Sequence, residues 1–474
     1  MRREKAVSRS EAVRVLAAAV IFSIIAIVSE QAGSSQTQRP NIVLIVSDDV
    51  GYADIGVHGS RDIPTPHIDR IAREGIRFTN AYVSGPYCSP TRAGLMTGRY
   101  PQRFGYEFNP DASPDYGLPL TESTFADRLK AVGYRTAIVG KWHLGSADRL
   151  HPMRRGFEEF YGFLGGEHSY MNVDFTTRSK MPDPLLDGTK PATAVTYLTD
   201  AFGDRAVRYI KEHASEPFFL YLAFNAAHTP LEAPEHYLAR FANIADSQRR
   251  TYAATISAMD DAIGRTLAAL REQQLEEKTL VIFLNDNGGP TMPTTTVNGA
   301  SNGPLRGSKR QTWEGGIRVP FAMSWKGRLA AGRVDDRPII QLDVLPTALA
   351  AAGVAAKASE FDGVNLLPFL TGATKGAPHD VLYWRLGGMM AIRKGDWKLV
   401  KTHEGALTDV DPSALNDLSD AGLYNLAKDI GESRNRAAEH PGKVKELSDL
   451  WQRWSRQLSK PLWGPQFGHG RGGV

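Results

Sequence analysis

From Pro40 onward the chain alternates short, wholly apolar runs with longer amphipathic stretches. Ile42 to Val46 is an unbroken Ile/Val/Leu run, the pattern of a strand buried on both faces. Strands are predicted in the same way over Ile76 to Val83, Arg135 to Val139, Phe218 to Phe224, Leu280 to Leu284 and Val319 to Ser324. Between them the spacing predicts helices over Pro66 to Arg73, Glu122 to Ala131, Tyr197 to Lys211, Ser247 to Gln274 and Gln341 to Ala352. Pro66 suits a helix start and Gly133 a helix end. Strands alternating with helices imply an α/β fold, with a mostly parallel sheet covered by helices on both faces.

The texture changes after about Thr371. Val381 to Trp384, Met389 to Arg393 and Trp397 to Lys401 are short runs separated by glycine-containing turns, and Lys443 to Leu458 has helical periodicity. These predict a small C-terminal domain, 371–474, with an antiparallel sheet and a helix, following a large domain over 39–370. The proline-rich stretch from Met181 to Pro191 reads as a loop. Thr291 to Gly303, rich in Thr, Asn and Gly, reads as an active-site loop.

With 474 residues and 42% hydrophobic positions the chain can bury a sizeable core, and a formal charge of only +4 gives nucleic acid no claim as a partner. Arg2, Arg3, Lys5, Arg9 and Arg14 precede an apolar run from Val15 to Val28, followed by small and polar residues. Residues 1–32 therefore read as a signal peptide directing export to the periplasm or the medium. An uncleaved segment, which would instead tether the protein to a membrane, is the alternative. Cys88 is the single cysteine. An exported chain with one cysteine has no internal disulfide, so the thiol is either a reactive group or a small buried hydrophobe.

Candidate chemistry collects where the apolar runs end. Ile42 to Val46 leads into Asp48 and Asp49, Arg135 to Val139 into Lys141 and His143, Phe218 to Phe224 into His228, and Leu280 to Leu284 into Asp286 and Asn287. Open parallel sheets bind ligands beyond the carboxyl ends of their strands. A strand-end Asp is also a common turn former, and the spacing alone leaves open whether the two acidic pairs meet. If they meet, their crowded carboxylates need a cation, and oxygen donors favour Ca²⁺ or Mg²⁺ over zinc. In the segment from Cys88 to Arg99, Pro90 and Gly98 bracket a helix. That would put Cys88 at its N-terminus with Arg92 one turn on. Arg99 reads as a structural brace.

The segment Cys88-Ser89-Pro90-Thr91-Arg92 resembles the Cys-x-Pro-x-Arg motif of the type I sulfatases of the alkaline phosphatase superfamily. Gly140 to Gly145, Asn285-Asp286-Asn287-Gly288, Leu305 to Lys309, Trp313 to Pro320, Trp397-Lys398-Leu399 and Leu423 to Leu426 resemble further segments of that family, in its order. The setting Ser308-Lys309-Arg310 departs from the family's Gly-Lys-Gly.

The resemblance implies an alkaline-phosphatase-like large domain and hydrolysis of sulfate monoesters. It implies that a dedicated maturation enzyme oxidises Cys88 to Cα-formylglycine. Asp48, Asp49, Asp286, Asn287 and residue 88 would surround Ca²⁺, with Mg²⁺ the lesser candidate. Hydrated formylglycine would attack sulfur, leaving a sulfate hemiester. His143 would take the proton of the second hydroxyl, Arg92, Lys141 and Lys309 would offset charge, and His228 and Lys309 would serve the leaving oxygen. Gly156 to Gly162 resembles relatives acting on aryl and amino-sugar sulfates, so a sulfated saccharide is the expected substrate. Tyr170, Trp313, Trp384 and Arg385 are candidate rim residues. A phosphodiesterase or phosphonate monoester hydrolase of the same superfamily, and a non-catalytic glycan-binding relative, are the competing readings.

Overall fold

The structure is a computed structural model and describes residues 39–110, 113, 115–173, 184–293, 297–402, 415 and 417–464. The predicted signal peptide and part of the Met181 to Pro191 stretch lie outside the described residues. No helix among the described residues is long and apolar enough to cross a membrane.

The main sheet among the described residues has ten strands. They are β1 (Asn41–Ser47), β2 (Ile76–Phe78), β3 (Arg135–Lys141), β4 (Glu159–Phe163), β5 (Leu186–Asp187), β6 (Lys190–Pro191), β7 (Phe218–Ala223), β8 (Thr279–Asn285), β9 (Phe321–Ser324) and β10 (Arg333–Asp335). Their spatial order is β10-β2-β9-β8-β1-β7-β3-β4-β5-β6. The centre is parallel: β1 pairs with β7 and β8, and β3 with β7 and β4. Antiparallel pairing enters at β9 and at the far edge.

The unbroken apolar runs follow from burial on both faces. Val43 and Ile45 of β1 enter one core with the helices α1 (Pro66–Arg73), α4 (Leu198–Glu212) and α5 (Ser247–Glu272). Ile42, Leu44 and Val46 enter the opposite core with α2 (Cys88–Thr97), α3 (Phe125–Lys130) and α6 (Val344–Ala351). Helix α3 starts at Thr124, whose hydroxyl accepts from the Asp127 amide while the Asp127 carboxylate accepts from the Thr124 amide. At Gly140, φ is 116°, and a Cβ would lie 1.9 Å from the Ala223 carbonyl oxygen. Only glycine lets β3 approach β7 this closely at the sheet edge that carries Lys141 and His143.

Two expectations change. The single strand expected from Ile76 to Val83 is two: β2, and Ala81–Tyr82, which leaves the main sheet to pair with Ile339–Ile340. The expected loop around residues 186–191 is a small hairpin, β5 and β6, closing the sheet edge.

The small antiparallel sheet comprises β11 (Val381–Leu386), β12 (Met389–Lys394), β13 (Trp397–Lys401) and β14 (Gly422–Asn425), with α7 (Pro441–Ser455) against it. Lys398 of β13 is fully buried and lies 2.9 Å from Glu314 Oε1 and 2.8 Å from Glu432 Oε1. Tyr82 donates to Glu314 Oε2 at 2.7 Å, and Arg318 lies 3.2 Å from the same oxygen. The Glu314 amide donates to Glu432 at 2.7 Å. This network fastens the small sheet to the 305–318 segment. Burial opposes ionisation of both acids. Lys398, Arg318 and Arg393 nevertheless hold Glu314 low, while burial and the neighbouring Glu314 push Glu432 up to about 7 against the pull of Lys398.

Folded Glu432 thus binds its proton more tightly than the unfolded chain does, so this group's contribution to stability falls as pH rises from about 4.5 to about 7. In thermal unfolding followed across that window, wild type is expected to lose roughly 1–3 kcal/mol relative to Glu432→Gln. Parallel pH curves for the two proteins would refute the assignment.

Candidate active site

Four neighbouring strands of the parallel centre, in the order β8-β1-β7-β3, end at one edge of the sheet. Beyond β1 stand Asp48 and Asp49, beyond β8 Asp286 and Asn287, beyond β7 His228, and at the end of β3 Lys141 and His143. The strand ends are locked together by short polar contacts. Ser47 donates to Asn285 Oδ1 at 2.8 Å, and the Asn285 amide donates to the Val50 carbonyl at 2.8 Å. The Asp48 amide donates to the Ala226 carbonyl at 2.9 Å, and the Ala227 amide to the Asp48 carbonyl at 2.6 Å. Asp49 and His143 hold left-handed backbone angles, φ 59° and 58°. Such angles are uncommon outside glycine and cluster at functional sites.

Helix α2 brings Cys88 to this edge. Tyr87 is extended, Pro90 lies in the first turn, and Gly98 at φ 68° closes the helix by donating to the Gly94 carbonyl. Cys88 is 1% exposed, with Sγ 3.8 Å from Asp48 Oδ1. Burial pushes its thiol up to about 12, so an unmodified side chain stays protonated at neutral pH. Arg92, one turn on, is wholly buried. Its Nη2 lies 2.9 Å from Asp286 Oδ2 and 3.2 Å from Asp48 Oδ2.

Two more cations close the ring. Lys141 Nζ pairs with Asp48 Oδ2, and Lys309 Nζ lies 2.7 Å from Asp49 Oδ2. Burial works against the Lys309 charge, but Asp49 holds the ammonium well above its usual range. Both histidines are shifted down, first by burial and then by a neighbouring lysine, Lys141 for His143 and Lys309 for His228. His143 Nδ1 is buried without a partner. His228 Nδ1 lies 2.6 Å from the Thr229 carbonyl, which can only accept, so Nδ1 carries the proton. Its Nε2 lies 3.5 Å from Asp49 Oδ2.

The ten predicted site residues therefore converge, and the two acidic pairs meet. Asp48, Asp49, Asp286 and Cys88 each offer a ligand atom, all within 4.8 Å of one another. Asn287 donates through Nδ2 to Asp49 Oδ1 at 2.7 Å, leaving its own Oδ1 buried and unpartnered. Burial, and after it the neighbouring Asp48, push Asp286 up to about 6 against the pull of Arg92 and Lys141. An unpartnered amide oxygen beside three carboxylates fits a hard divalent cation such as Ca²⁺.

The expected rim residues are interior. Trp384 is fully buried and donates to the Val83 carbonyl, Arg385 pairs with Glu107, and Trp313 packs under Arg306. Tyr170 is fully buried and donates to the carbonyls of Asn225 and His228, bracing the histidine turn. Arg99 pairs with Glu122 at 2.7 Å, as a brace would. Sequence reasoning missed two residues. Tyr221, inside an apolar strand, places its hydroxyl 3.3 Å from Arg92 Nη1. Asn298, inside the flagged loop, donates to the carbonyls of Asp49 and Ala227 at 3.0 and 2.8 Å. Only the loop's composition hinted at the second.

The family model for sulfatases matches residues 40–354. The chain belongs to the sulfatase family. This sulfatase is 35% identical to human N-acetylgalactosamine-6-sulfatase, an alignment covering 83% of its own chain and 78% of the relative. It is 33% identical to bovine arylsulfatase A, covering 85% and 84%. Among solved structures it superposes on Ps i-CgsB in complex with k-i-k-neocarrahexaose with a TM-score of 0.81, at 35% identity, covering 90% of this chain and 95% of the other. The sulfatase is accordingly a sulfuric ester hydrolase, with the mixed α/β architecture expected from its sequence.

Calcium added to metal-stripped protein is expected to raise the thermal unfolding midpoint, by the equivalent of about 2.7 kcal/mol at a hundredfold excess over Kd. Asn287→Leu and Asp49→Ala should abolish the shift. An equal shift in both variants would place calcium elsewhere.

Proposed function

We propose that this sulfatase cleaves sulfate monoesters of sulfated saccharides, with residue 88 matured from cysteine to Cα-formylglycine and Ca²⁺ held by Asp48, Asp49, Asp286 and Asn287. One observation carries the reading: Cys88 Sγ stands among three buried carboxylates, beside an amide oxygen with no partner. Mg²⁺ fits less well, because it demands a tighter octahedron and keeps more of its water. When bound, the cation supplies Lewis acidity to the sulfate oxygens and the nucleophile. The saccharide assignment is supported by the names of human N-acetylgalactosamine-6-sulfatase and of Ps i-CgsB bound to k-i-k-neocarrahexaose.

The hydrate of a residue-88 aldehyde has two hydroxyls. One attacks sulfur as its proton passes to Asp286, whose carboxylate lies within 4.8 Å of Cys88 Sγ. The sulfur–oxygen ester bond breaks, and the departing alcohol oxygen needs a proton. Lys309 is the group held protonated and is the donor; His228, with its proton on Nδ1, leaves Nε2 to accept a hydrogen bond from a hydroxyl of the substrate. Arg92 and Lys141 offset the charge that builds on the sulfuryl oxygens. His143, kept neutral by burial and by Lys141, takes the proton of the second hydroxyl. The carbon–oxygen bond then breaks, sulfate leaves and the aldehyde reforms. The leading basic and apolar segment supports export, and the maturation enzyme is the one protein partner this chemistry requires.

Co-expression with a formylglycine-generating enzyme should replace the side-chain CH₂SH by CHO in the intact mass and yield aryl sulfate hydrolysis that exceeds aryl phosphonate hydrolysis. Cys88→Ala should reduce that activity to background. A persistent thiol with full activity, or preference for the phosphonate, would overturn the reading.

His143→Ala is expected to lower kcat by about 10²–10⁴-fold and to accumulate protein carrying one added SO₃ in the intact mass. Slow turnover without that adduct would remove His143 from the second step.

A further inference from the structure

Arg310 is the cation beside the site that the reaction leaves unused. Its backbone is left-handed, φ 71°. For a residue with a Cβ that geometry is strained. The side chain lies over Tyr87, with Cζ 5.0 Å from the ring centroid, and Lys309 Nζ lies 5.9 Å from the same centroid. The Arg310 amide donates to the Pro86 carbonyl at 2.7 Å. Arg310 is thus fastened to the two residues that precede Cys88.

Its neighbours in the fold have carboxylate partners. Arg92 has Asp48 and Asp286, Arg318 has Glu314, and Arg385 has Glu107. Arg310 makes no ion pair among the described residues, and its Nε is buried without a hydrogen-bond partner. A half-buried guanidinium gives up part of its hydration, and no carboxylate among the described residues pairs with it. Strain and an unmet donor at one residue beside a nucleophile point to a partner that arrives with the substrate.

We propose that Arg310 is a specificity residue that binds a second anionic group of the substrate, a sulfate ester or a carboxylate on the sugar carrying the scissile sulfate or on its neighbour. The reacting sulfate already has Arg92, Lys141 and Lys309, so the fourth cation serves a different anion. A guanidinium suits it, because its planar fork matches either oxyanion with two parallel hydrogen bonds. This inference rests on the sulfatase reading of the adjacent site.

The test uses the matured full-length protein and competitive inhibition of 4-nitrophenyl sulfate hydrolysis by matched saccharides. One pair is N-acetylgalactosamine 6-sulfate against its 4,6-disulfate. The other is a 6-sulfated hexosamine linked to a neutral hexose against the same sugar linked to a uronic acid. Wild type should bind the dianionic member of at least one pair about tenfold more tightly, and the pair that responds identifies the anion. Arg310→Gln should collapse that ratio toward one, and Arg310→Lys should retain part of it. Because each ratio is read within one preparation, incomplete folding or maturation cancels. Ratios equal in wild type and Arg310→Gln for both pairs would overturn the proposal, as would a purely positional role, which lowers both members together. If matured protein fails to hydrolyse aryl sulfate, the proposed function falls by itself, and the same ratios measured by calorimetric binding still judge Arg310.

Discussion

Three carboxylates, Asp48, Asp49 and Asp286, share one dry site, and the rest of the arrangement follows from how their charge is met. Water cannot screen them there, so like charges a few ångströms apart repel strongly. Arg92, Lys141 and Lys309 balance them one for one. A divalent ion added to that neutral set leaves an excess of two positive charges. That excess suits a sulfate monoester, which carries one negative charge, and the sulfate product, which carries two.

Holding this balance needs more than the strand ends. Lys309 comes from a segment without a strand of its own, and its neighbours Glu314 and Arg318 are gripped by Lys398, Tyr82 and Glu432. The small sheet therefore contributes no reacting group but fixes the segment that carries one. Asp49, His143, Arg310 and Glu432 are four of the five non-glycine residues with positive φ among the described residues. Backbone strain is thus concentrated around the site and its brace, where tight packing can hold it.

Much of this was legible in the sequence because parallel, doubly buried strands are apolar throughout, so the polar residues that follow within a few positions of each run announce the sheet edge. Asp48, Lys141, His228 and Asp286 were each found in that way. Cys88 and Arg92 were legible through the proline and glycine that bracket their helix. Tyr221 was not, because a tyrosine in an apolar strand looks like core until its hydroxyl is seen to face Arg92. Trp384 and Arg385 were misplaced for a related reason. In an antiparallel strand, composition does not say which layer covers a face, and here the helix α7 and Tyr82 cover it. The break at Thr79 and Asn80 was also hidden, since the hydrogen bonds that divert the chain there are to Asp335 and Asp336, far away in sequence.

The depth of Cys88 sets an order of events. Every residue of its helix is buried, the closing glycine included, and the thiol sits beneath the ends of four strands that only the finished sheet brings together. No second protein can grasp that side chain in the native molecule. Under the proposed maturation, oxidation has to come while the polypeptide is still extended. A molecule that collapses first keeps its sulfur for good, stable in shape and silent in chemistry.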